Sequence, residues 1–478
     1  MTEKSPQDRL FALWGEIRDL ENAEALLSWD QETGMPPRGQ GARGRCLATL
    51  AGLKHARLTD PGLSEVLDAC AGEAAPGSEP EAQVREARRH VDRAVRVPVE
   101  LAKALAAATS SGLVAWQKAR RKADFALFRD HLVTLVRLRR EQAAAIDPAR
   151  PPYDVLMDEF EPGATEEELT PLFAKLREAL APLVRGVAEC GQGVDERPAL
   201  GHYPPEKQLA FGRMAAARMG FDFEAGRIDR STHPFCTGFG PGDVRITWRC
   251  QEDDFRPALF GIMHEAGHGL YEQGLNPAWE GTPIGPAVSL GVHESQSRLW
   301  ENLVGRSRAF WTWALPRFVE TFPDKKGLTV DALWPALHAV RPSFIRVEAD
   351  EVTYNLHIAA RFGIESALFR GELEVDDLPA AWDDAYEELL GIRPRDMAEG
   401  VLQDIHWAMG MFGYFPTYTL GNLINAQLFE TARRELGDVE GMVSKGELAP
   451  LREWLREKIH RFGSRYPARE LVQRATGA

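Results

Sequence analysis

The chain has 478 residues, a formal net charge of −14, 44% hydrophobic residues and 27% charged residues. This composition suits a large globular interior. The acidic balance argues against a nucleic-acid partner, because phosphate binding depends on clustered Lys and Arg. No stretch approaches the roughly 20 apolar residues that a membrane helix needs, and no basic segment followed by an apolar run opens the chain. We therefore expect a cytoplasmic protein without a membrane partner.

Helical periodicity dominates the chain from its beginning. Apolar residues recur at three- and four-residue spacing behind Ser5 and Pro6, where the serine can cap a helix and the proline suits its first position. Residues 80–146 are typical of two or three long helices, with Pro98 and the cluster Ser110-Ser111-Gly112 as the predicted breaks. The pattern predicts a mainly α-helical fold.

One segment departs from the helical pattern. Apolar and polar residues alternate strictly over residues 243–248, which predicts a β-strand. No internal repeat or long Pro/Gly linker divides the chain. We expect a single helical domain over residues 1–478 around a deep groove, which could be subdivided into two lobes. A small β-sheet element should lie beside the helix described next.

The segment His264-Glu265-Ala266-Gly267-His268 carries the strongest chemical signal. On a helix, residues four apart lie on one face, so His264 and His268 can direct two imidazoles at one ion while Glu265 projects beside them. With 12 His and 71 acidic residues in the chain, such a motif arises by chance about 0.04 times. The spacing therefore indicates a metal site, with two surface histidines as the alternative.

Three glycines bear on this helix. Gly274 is the predicted C-terminal end. Gly267 and Gly269 lower the helix propensity, so we expect close packing of a neighbouring element to compensate.

A catalytic zinc takes three protein ligands and leaves one position for water, so a third ligand is needed. The downstream candidates are Glu272, His293, Glu294 and Glu301. Glu272 is disfavoured because the helix axis carries it away from both histidines. Residues 286–300 are typical of a second helix on which His293 and Glu294 point about 100° apart, so only one of them should reach the ion. The extended three-histidine pattern does not occur, which favours two His and one Glu.

Five cysteines are scattered along the chain without C-x-x-C spacing: Cys46, Cys70, Cys190, Cys236 and Cys250. This odd set favours free buried thiols over disulfides or a redox motif.

Together these segments resemble the carboxypeptidase Taq family of zinc metallocarboxypeptidases, over nearly the whole chain. Six signatures occur in order, at residues 233–235 (His-Pro-Phe), 243–247 (Asp-Val-Arg-Ile-Thr), 264–268, 293–296 (His-Glu-Ser-Gln), 345–350 (Ile-Arg-Val-Glu-Ala-Asp) and 400–407 (Gly-Val-Leu-Gln-Asp-Ile-His-Trp). Segments 29–37, 153–156 and 412–418 are also similar to family segments.

The resemblance implies a zinc peptidase that releases single C-terminal amino acids, with Glu294 as the third ligand and Glu265 as the general base. It also implies an almost wholly helical fold, a homodimer, and cobalt as a substitute for zinc. In this mechanism the ion acidifies a bound water while Glu265 takes its proton and later delivers it to the leaving amine. The alternatives are a dipeptidase or endopeptidase on the same site, or a non-catalytic helical binding protein stabilised by the metal.

Release of a C-terminal amino acid requires recognition of a free α-carboxylate, and a guanidinium suits this because its planar fork binds carboxylate through two hydrogen bonds. Arg346 and Arg245 are the candidates. Arg346 could instead pair with Asp350 four positions later, and Arg245 could instead support the cleft from its strand.

An anionic intermediate needs hydrogen-bond donors besides the metal. We assign His406 and Tyr414 to this catalytic role and Tyr418 to substrate binding, although buried His and Tyr also form structural hydrogen bonds. His233, held before Pro234, is a candidate contact for the substrate main chain.

Overall fold

The structure is a computed structural model that describes residues 5–190 and 193–477. Within these residues the chain is mainly helical, which confirms the predicted fold class. The helices are α1 (Pro6–Thr33), α2 (Gln40–Leu58), α3 (Pro61–Glu73), α4 (Glu79–Arg96), α5 (Val99–Lys122), α6 (Ala126–Ile146), α7 (Pro152–Met157), α8 (Glu166–Cys190), α9 (Pro205–Met219), α10 (Arg256–Gly274), α11 (Leu290–Arg298), α12 (Arg308–Thr321), α13 (Val330–Leu337), α14 (Glu351–Arg370), α15 (Leu378–Leu390), α16 (Pro416–Leu436), α17 (Val439–Ser444), α18 (Ala449–Lys458) and α19 (Ala468–Thr476). The strands are β1 (Gly226–Arg230), β2 (Cys236–Gly238) and β3 (Val244–Trp248), and a π-helix (Leu299–Gly305) directly follows α11.

The chain divides into two compact units. The first comprises Met1–Val95, Asp195–Leu337 and Gly421–Ala478, and the second comprises Arg96–Val194 and His338–Leu420. The histidine pair belongs to the first unit. The expectation of a single domain around a groove stays a prediction. None of the helices in the described part of the chain is long and apolar enough to cross a membrane.

The first unit is built around α10, which carries the two histidines. The helix begins with Arg256 and Pro257 and ends at Gly274, as predicted from the glycine. Its buried residues, among them Ile262, Met263 and Ala266, join the main hydrophobic core of this unit. Because α10 is buried along most of its length, its neighbours hold the two histidines firmly in place.

A three-stranded sheet lies against α10, as the sequence predicted. The strand order is β1-β3-β2, with β1 parallel and β2 antiparallel to the central strand β3. Val244, Ile246 and Trp248 are buried, which agrees with the alternation in the sequence. Thr247 is also buried. Its hydroxyl oxygen is not left without partners there, because it accepts hydrogen bonds from the backbone N–H of Phe235 and from the Ser231 hydroxyl.

The second unit is built around α14, whose N-terminus is capped by Asp350. Aromatic rings from α7 and α8 pack on this helix, with Phe173 stacked on Phe362 and Tyr153 stacked on Phe369. Most of the helix is buried, including charged residues that are described below.

Two predicted helix boundaries are wrong. Pro98 ends one helix as predicted, but α5 continues through Ser110-Ser111-Gly112 to Lys122. Gly112 is a packing residue, because a Cβ there would lie 3.1 Å from Leu135 Cδ1 on α6. The helix predicted from residue 286 begins at Leu290, since Ser289 accepts a hydrogen bond from the backbone N–H of Val292 and caps it.

The cysteines are unpaired, as predicted. The prediction that all of them are buried is wrong, because Cys46 and Cys190 are exposed.

Gly267 explains how α10 and α11 approach each other. A Cβ at this position would lie 2.7 Å from Ser297 Cα and 2.8 Å from the Gln296 carbonyl oxygen. Gly269 is equally confined, because a Cβ there would lie 2.5 Å from the Phe221 ring. The close packing that the two glycines predicted is therefore present.

We predict that Gly267→Ala destabilises the protein by about 1–3 kcal/mol, because the added methyl meets backbone atoms that cannot move aside as a side chain can. The control is Gly363→Ala on α14, where a Cβ meets nothing within 4 Å and the better helix propensity should stabilise by about 0.5–1 kcal/mol. Urea unfolding followed by circular dichroism compares the two variants. Equal stability of both would contradict the packing constraint.

Candidate functional site

His264 and His268 of α10 converge with Glu294 of α11. Their ligand atoms all lie within 4.8 Å of one another, and Glu294 Oε2 is 3.6 Å from His264 Nε2 and 3.4 Å from His268 Nε2. Two imidazole nitrogens and one carboxylate oxygen form the donor set of a catalytic zinc site that keeps a position open. The three side chains therefore fit a divalent metal.

Glu294 is oriented by its neighbours. Arg298, four positions later on the helix, donates to Glu294 Oε1 at 2.8 Å, which leaves Oε2 facing the histidines. Burial would raise the pKa of Glu294, but His264 and Arg298 hold it well below its usual range. Gly421 leaves room for the side chain, since a Cβ there would lie 2.7 Å from Glu294 Cγ.

His264 is oriented by Glu301, one of the predicted ligand candidates. Its Nδ1 lies 2.9 Å from Glu301 Oε2, and Arg298 and Arg306 also bind this carboxylate, at 3.3 and 3.0 Å. Burial would raise the pKa of Glu301, but Arg298 and His264 lower it below its usual range. A carboxylate on Nδ1–H fixes the tautomer that presents Nε2 to a metal.

His268 is oriented by the other two candidates. Its Nδ1 lies 2.5 Å from His293 Nδ1, and His293 Nε2 lies 2.7 Å from Glu272 Oε1. The Glu272 carboxylate accepts a hydrogen bond from Nε2–H of His293. Nδ1 of His293 therefore carries no proton and accepts a hydrogen bond from Nδ1–H of His268. This chain of hydrogen bonds also presents His268 Nε2 to a metal. His293 and Glu272 are engaged in it and are not part of the group of three ligand candidates.

Glu265 lies beside this group with 6% of its surface exposed. Burial raises the pKa of Glu265 to about 7, with His264 opposing the rise and Glu294 adding to it. A carboxylate with a pKa near neutrality can both take and return a proton.

Arg245 and His233 belong to the same unit as the histidine pair. Arg245 donates from Nε and Nη2 to Asp243 at 2.9 and 2.8 Å, and its guanidinium lies 4.5 Å from the Trp29 ring centroid. Asp243 thus pairs with this guanidinium one to one, which favours a structural role for Arg245. His233 is exposed.

The other predicted residues lie in the second unit, around a group that we call the arginine cluster (Arg346, Arg361 and Asp404). Arg346, 5% exposed, donates from Nε and Nη2 to Asp404 Oδ1 at 3.0 and 2.9 Å, and Arg361 donates from Nε to Asp404 Oδ2 at 2.7 Å. Two guanidiniums on one carboxylate leave one positive charge in excess. The alternative partner of Arg346, Asp350, caps α14.

His406, Tyr414 and Tyr418 adjoin the arginine cluster. The Tyr418 ring centroid is 4.8 Å from the Arg346 guanidinium, and its hydroxyl is 3.3 Å from His406 Nε2. The Tyr414 ring lies 5.1 Å from the His406 ring. Burial lowers the pKa of His406 to about 3, with Asp404 opposing and Arg346 contributing, so the imidazole is neutral at neutral pH.

Sequence reasoning did not single out several side chains of these sites. Arg298 could have been found from its i,i+4 spacing to Glu294, and Asp404 lies within the signature at 400–407. Arg361 gives no local signal, because only the folding of distant segments joins it to Asp404, whereas Arg306 lies just five positions after its partner Glu301.

Comparison with known proteins gives a consistent result. The sequence pattern of the family described as Carboxypeptidase Taq (M32) metallopeptidase matches residues 9–478. Thermostable carboxypeptidase 1 of Thermus thermophilus is 46% identical over 489 residues, which cover 100% of this chain and 96% of that protein. Carboxypeptidase 1 of Bacillus subtilis is 38% identical and covers 98% and 94% of the two chains.

Solved structures agree with the sequence comparison. The M32 carboxypeptidase of Deinococcus radiodurans superposes with a TM-score of 0.95 at 40% identity, over 99% of this chain and 95% of that one. The carboxypeptidase of Pyrococcus furiosus gives a TM-score of 0.96 at 37% identity, over 100% and 96%. These likenesses define a helical metal-dependent peptidase. The chain belongs to the carboxypeptidase Taq (M32) metallopeptidase family, which confirms the resemblance read from the sequence.

We predict that Glu301→Gln weakens metal binding about 10- to 100-fold, because the amide no longer secures the His264 tautomer as a carboxylate does. The control is Glu430→Gln, a change of the same kind at an exposed ion pair with Arg433, which should leave the affinity unchanged. Competition with a chromogenic chelator measures both. An unchanged affinity in Glu301→Gln would show that the carboxylate does not orient the histidine.

We predict that His406 lowers the free energy of unfolding at acidic pH. A histidine whose pKa is lower in the folded than in the unfolded chain binds fewer protons when folded, so stability rises with pH between about 3 and 6.5. Relative to His406→Gln, the wild type should lose about 2 kcal/mol between pH 7 and pH 5. Urea unfolding at both pH values tests this, with His202→Gln, at an exposed histidine, as control. Parallel pH dependences of wild type and His406→Gln would contradict it.

Proposed function

We propose that the protein is a zinc-dependent metallocarboxypeptidase that releases single amino acids from peptides with a free C-terminus. The observation that carries this proposal is the convergence of His264, His268 and Glu294, with the buried Glu265 beside them. Membership of the M32 family supports the reaction class. The carboxypeptidase names of the relatives support action at the C-terminus.

His264, His268 and Glu294 would hold the metal. Two imidazoles with one carboxylate suit zinc, and cobalt accepts the same donors, so we propose zinc as the native ion with cobalt as a substitute. When bound, such an ion polarises the scissile carbonyl and lowers the pKa of a water. Glu301 and the chain of hydrogen bonds from Glu272 through His293 keep the two imidazoles in the tautomers that this binding needs.

Glu265 is the proposed general base. Its carboxylate takes a proton from the attacking water and then delivers that proton to the leaving amine. The near-neutral pKa that burial gives Glu265 supports both steps.

Arg346 is the proposed anchor for the substrate carboxylate. Of the five N–H donors of a guanidinium, three are engaged by Asp404 and Tyr354. The excess positive charge of the buried arginine cluster favours binding of an anion. Arg245 is the weaker choice, since its one charge is paired with the one carboxylate of Asp243 and no positive charge is left in excess.

His406 and Tyr414 are the proposed donors to the anionic intermediate. Because His406 is neutral at neutral pH, it acts through an N–H hydrogen bond and does not supply a proton. Tyr418 supports Arg346 and contacts the substrate, and the exposed His233 contacts its main chain. We further propose that the enzyme acts in the cytoplasm and that it is a homodimer. Sedimentation analysis of the purified protein can test the homodimer.

We predict that Glu265→Gln binds zinc normally but loses about 100- to 10,000-fold in kcat, because the amide cannot accept the proton. Metal analysis and release of the C-terminal amino acid from a short peptide measure the two effects. The same assay with chelator, followed by re-addition of zinc or cobalt, tests the metal. Full activity of metal-loaded Glu265→Gln would refute the general-base role, and wild-type activity that survives complete metal removal would refute the metal.

We predict that Arg346→Lys raises KM for free peptides about 10- to 100-fold, because a lysine loses the bidentate fork. Arg245→Lys is the matched control and should leave KM within about twofold, since that fork serves Asp243. Wild-type enzyme should not cleave peptides whose C-terminus is blocked as an amide. Cleavage indifferent to the amide would favour an endopeptidase. A protein that binds metal but hydrolyses no peptide would favour the non-catalytic alternative.

A further inference from the structure

Glu365 is a buried carboxylate that the proposed mechanism does not use. It lies on α14 with 0% of its surface exposed. It accepts three hydrogen bonds, from Trp407 Nε1 at 2.7 Å, from the Tyr153 hydroxyl at 2.9 Å and from the backbone N–H of Gly413 at 3.0 Å. All three donors are neutral, and burial raises the pKa of Glu365 to about 7.

The three donors come from three separate segments that the sequence singled out. Tyr153 begins the segment 153–156, Trp407 ends the signature at 400–407, and Gly413 belongs to the segment 412–418. Trp407 follows His406 and Gly413 precedes Tyr414 in the chain. Two of the three donors are therefore the immediate neighbours of the proposed donors to the anionic intermediate.

Gly413 is confined so that its N–H can reach Glu365. Its φ is +82°, a conformation that favours glycine. A Cβ at this position would lie 2.7 Å from both the backbone nitrogen and Cα of Met157. The segment that carries Tyr414 thus packs closely against the end of α7, and the hydrogen bond to the Glu365 carboxylate holds it there.

Neutral donors do not offset the cost of burying a charge as a cation would. An apolar side chain at position 365 would avoid that cost but would leave the N–H groups of Trp407 and Gly413 without this acceptor. A glutamine fits no better. Its single amide oxygen can accept from the N–H of Trp407 or from the N–H of Gly413. In either orientation its NH₂ group faces the other of these two donors. Only a carboxylate accepts from both sides at once.

We infer that Glu365 is a positioning residue for the reaction: by binding the neighbours of His406 and Tyr414, it sets where these two side chains meet the substrate. This inference rests on the proposed function, because it assigns His406 and Tyr414 their roles. Glu365 itself does not act on the substrate, and its effect passes through the loop.

The test is a double-mutant cycle on the zinc-loaded full chain, with release of the C-terminal amino acid as the readout. Glu365→Gln should lower kcat/KM about 10- to 100-fold, because a displaced catalytic group costs about that much. In the background of His406→Ala combined with Tyr414→Phe, the same change should cost less than about threefold. A merely structural role would lower activity by the same factor in both backgrounds.

Asp154→Asn is the matched control, since Asp154 is a buried carboxylate on α7 that accepts from the backbone N–H of Glu166 at 2.7 Å. It should leave kcat/KM within about twofold at a temperature where the variants are folded. An unchanged kcat/KM in Glu365→Gln, or an equal loss in both backgrounds, overturns the inference. The proposed function fails separately, if wild type releases no amino acid or if His406→Ala and Tyr414→Phe are fully active.

Discussion

The close approach of α10 and α11 is the constraint on which the candidate metal centre depends. Two histidines on one helix supply only two ligands, and the third must come from a second backbone. Gly267 lets that backbone approach to a distance that a single methyl group would prevent, and Gly421 leaves space on the other side of Glu294. These two glycines therefore determine whether the three ligand side chains can come together.

Once the helices are in contact, electrostatics decides how the ligand groups behave. Burial disfavours the charged form of a carboxylate, yet Glu294 and Glu301 are each paired with a cation. Arg298 lies between two carboxylates and lowers the pKa of both Glu294 and Glu301. The outer carboxylates fix the ring tautomers, so that both Nε2 atoms are directed inward. For Glu265, burial outweighs the influence of His264 and Arg298, and its pKa is raised.

The second unit uses buried charge differently. In the arginine cluster, cations outnumber the carboxylate, which suits the capture of an anion. At Glu365, a carboxylate is held by neutral donors, which suits the fixing of a loop. Both groups lie on or next to α14, whose Arg361 and Glu365 are one turn apart and fully buried. A single buried helix therefore supports both the proposed anchor, Arg346, and the segment that carries His406 and Tyr414.

The sequence by itself determined the helical class, the central strand, the helix that carries His264 and His268, and the membership of the M32 family. These features follow from local patterns, because hydrophobic periodicity and i,i+4 spacing are properties of neighbouring residues. Tertiary structure alone decided that α5 continues through Ser110-Ser111-Gly112, where Gly112 packs on α6. It also decided that His293 faces Glu272 and that Arg361 shares Asp404 with Arg346. These outcomes depend on contacts between segments far apart in the chain, and no local pattern encodes which distant partner a side chain will meet.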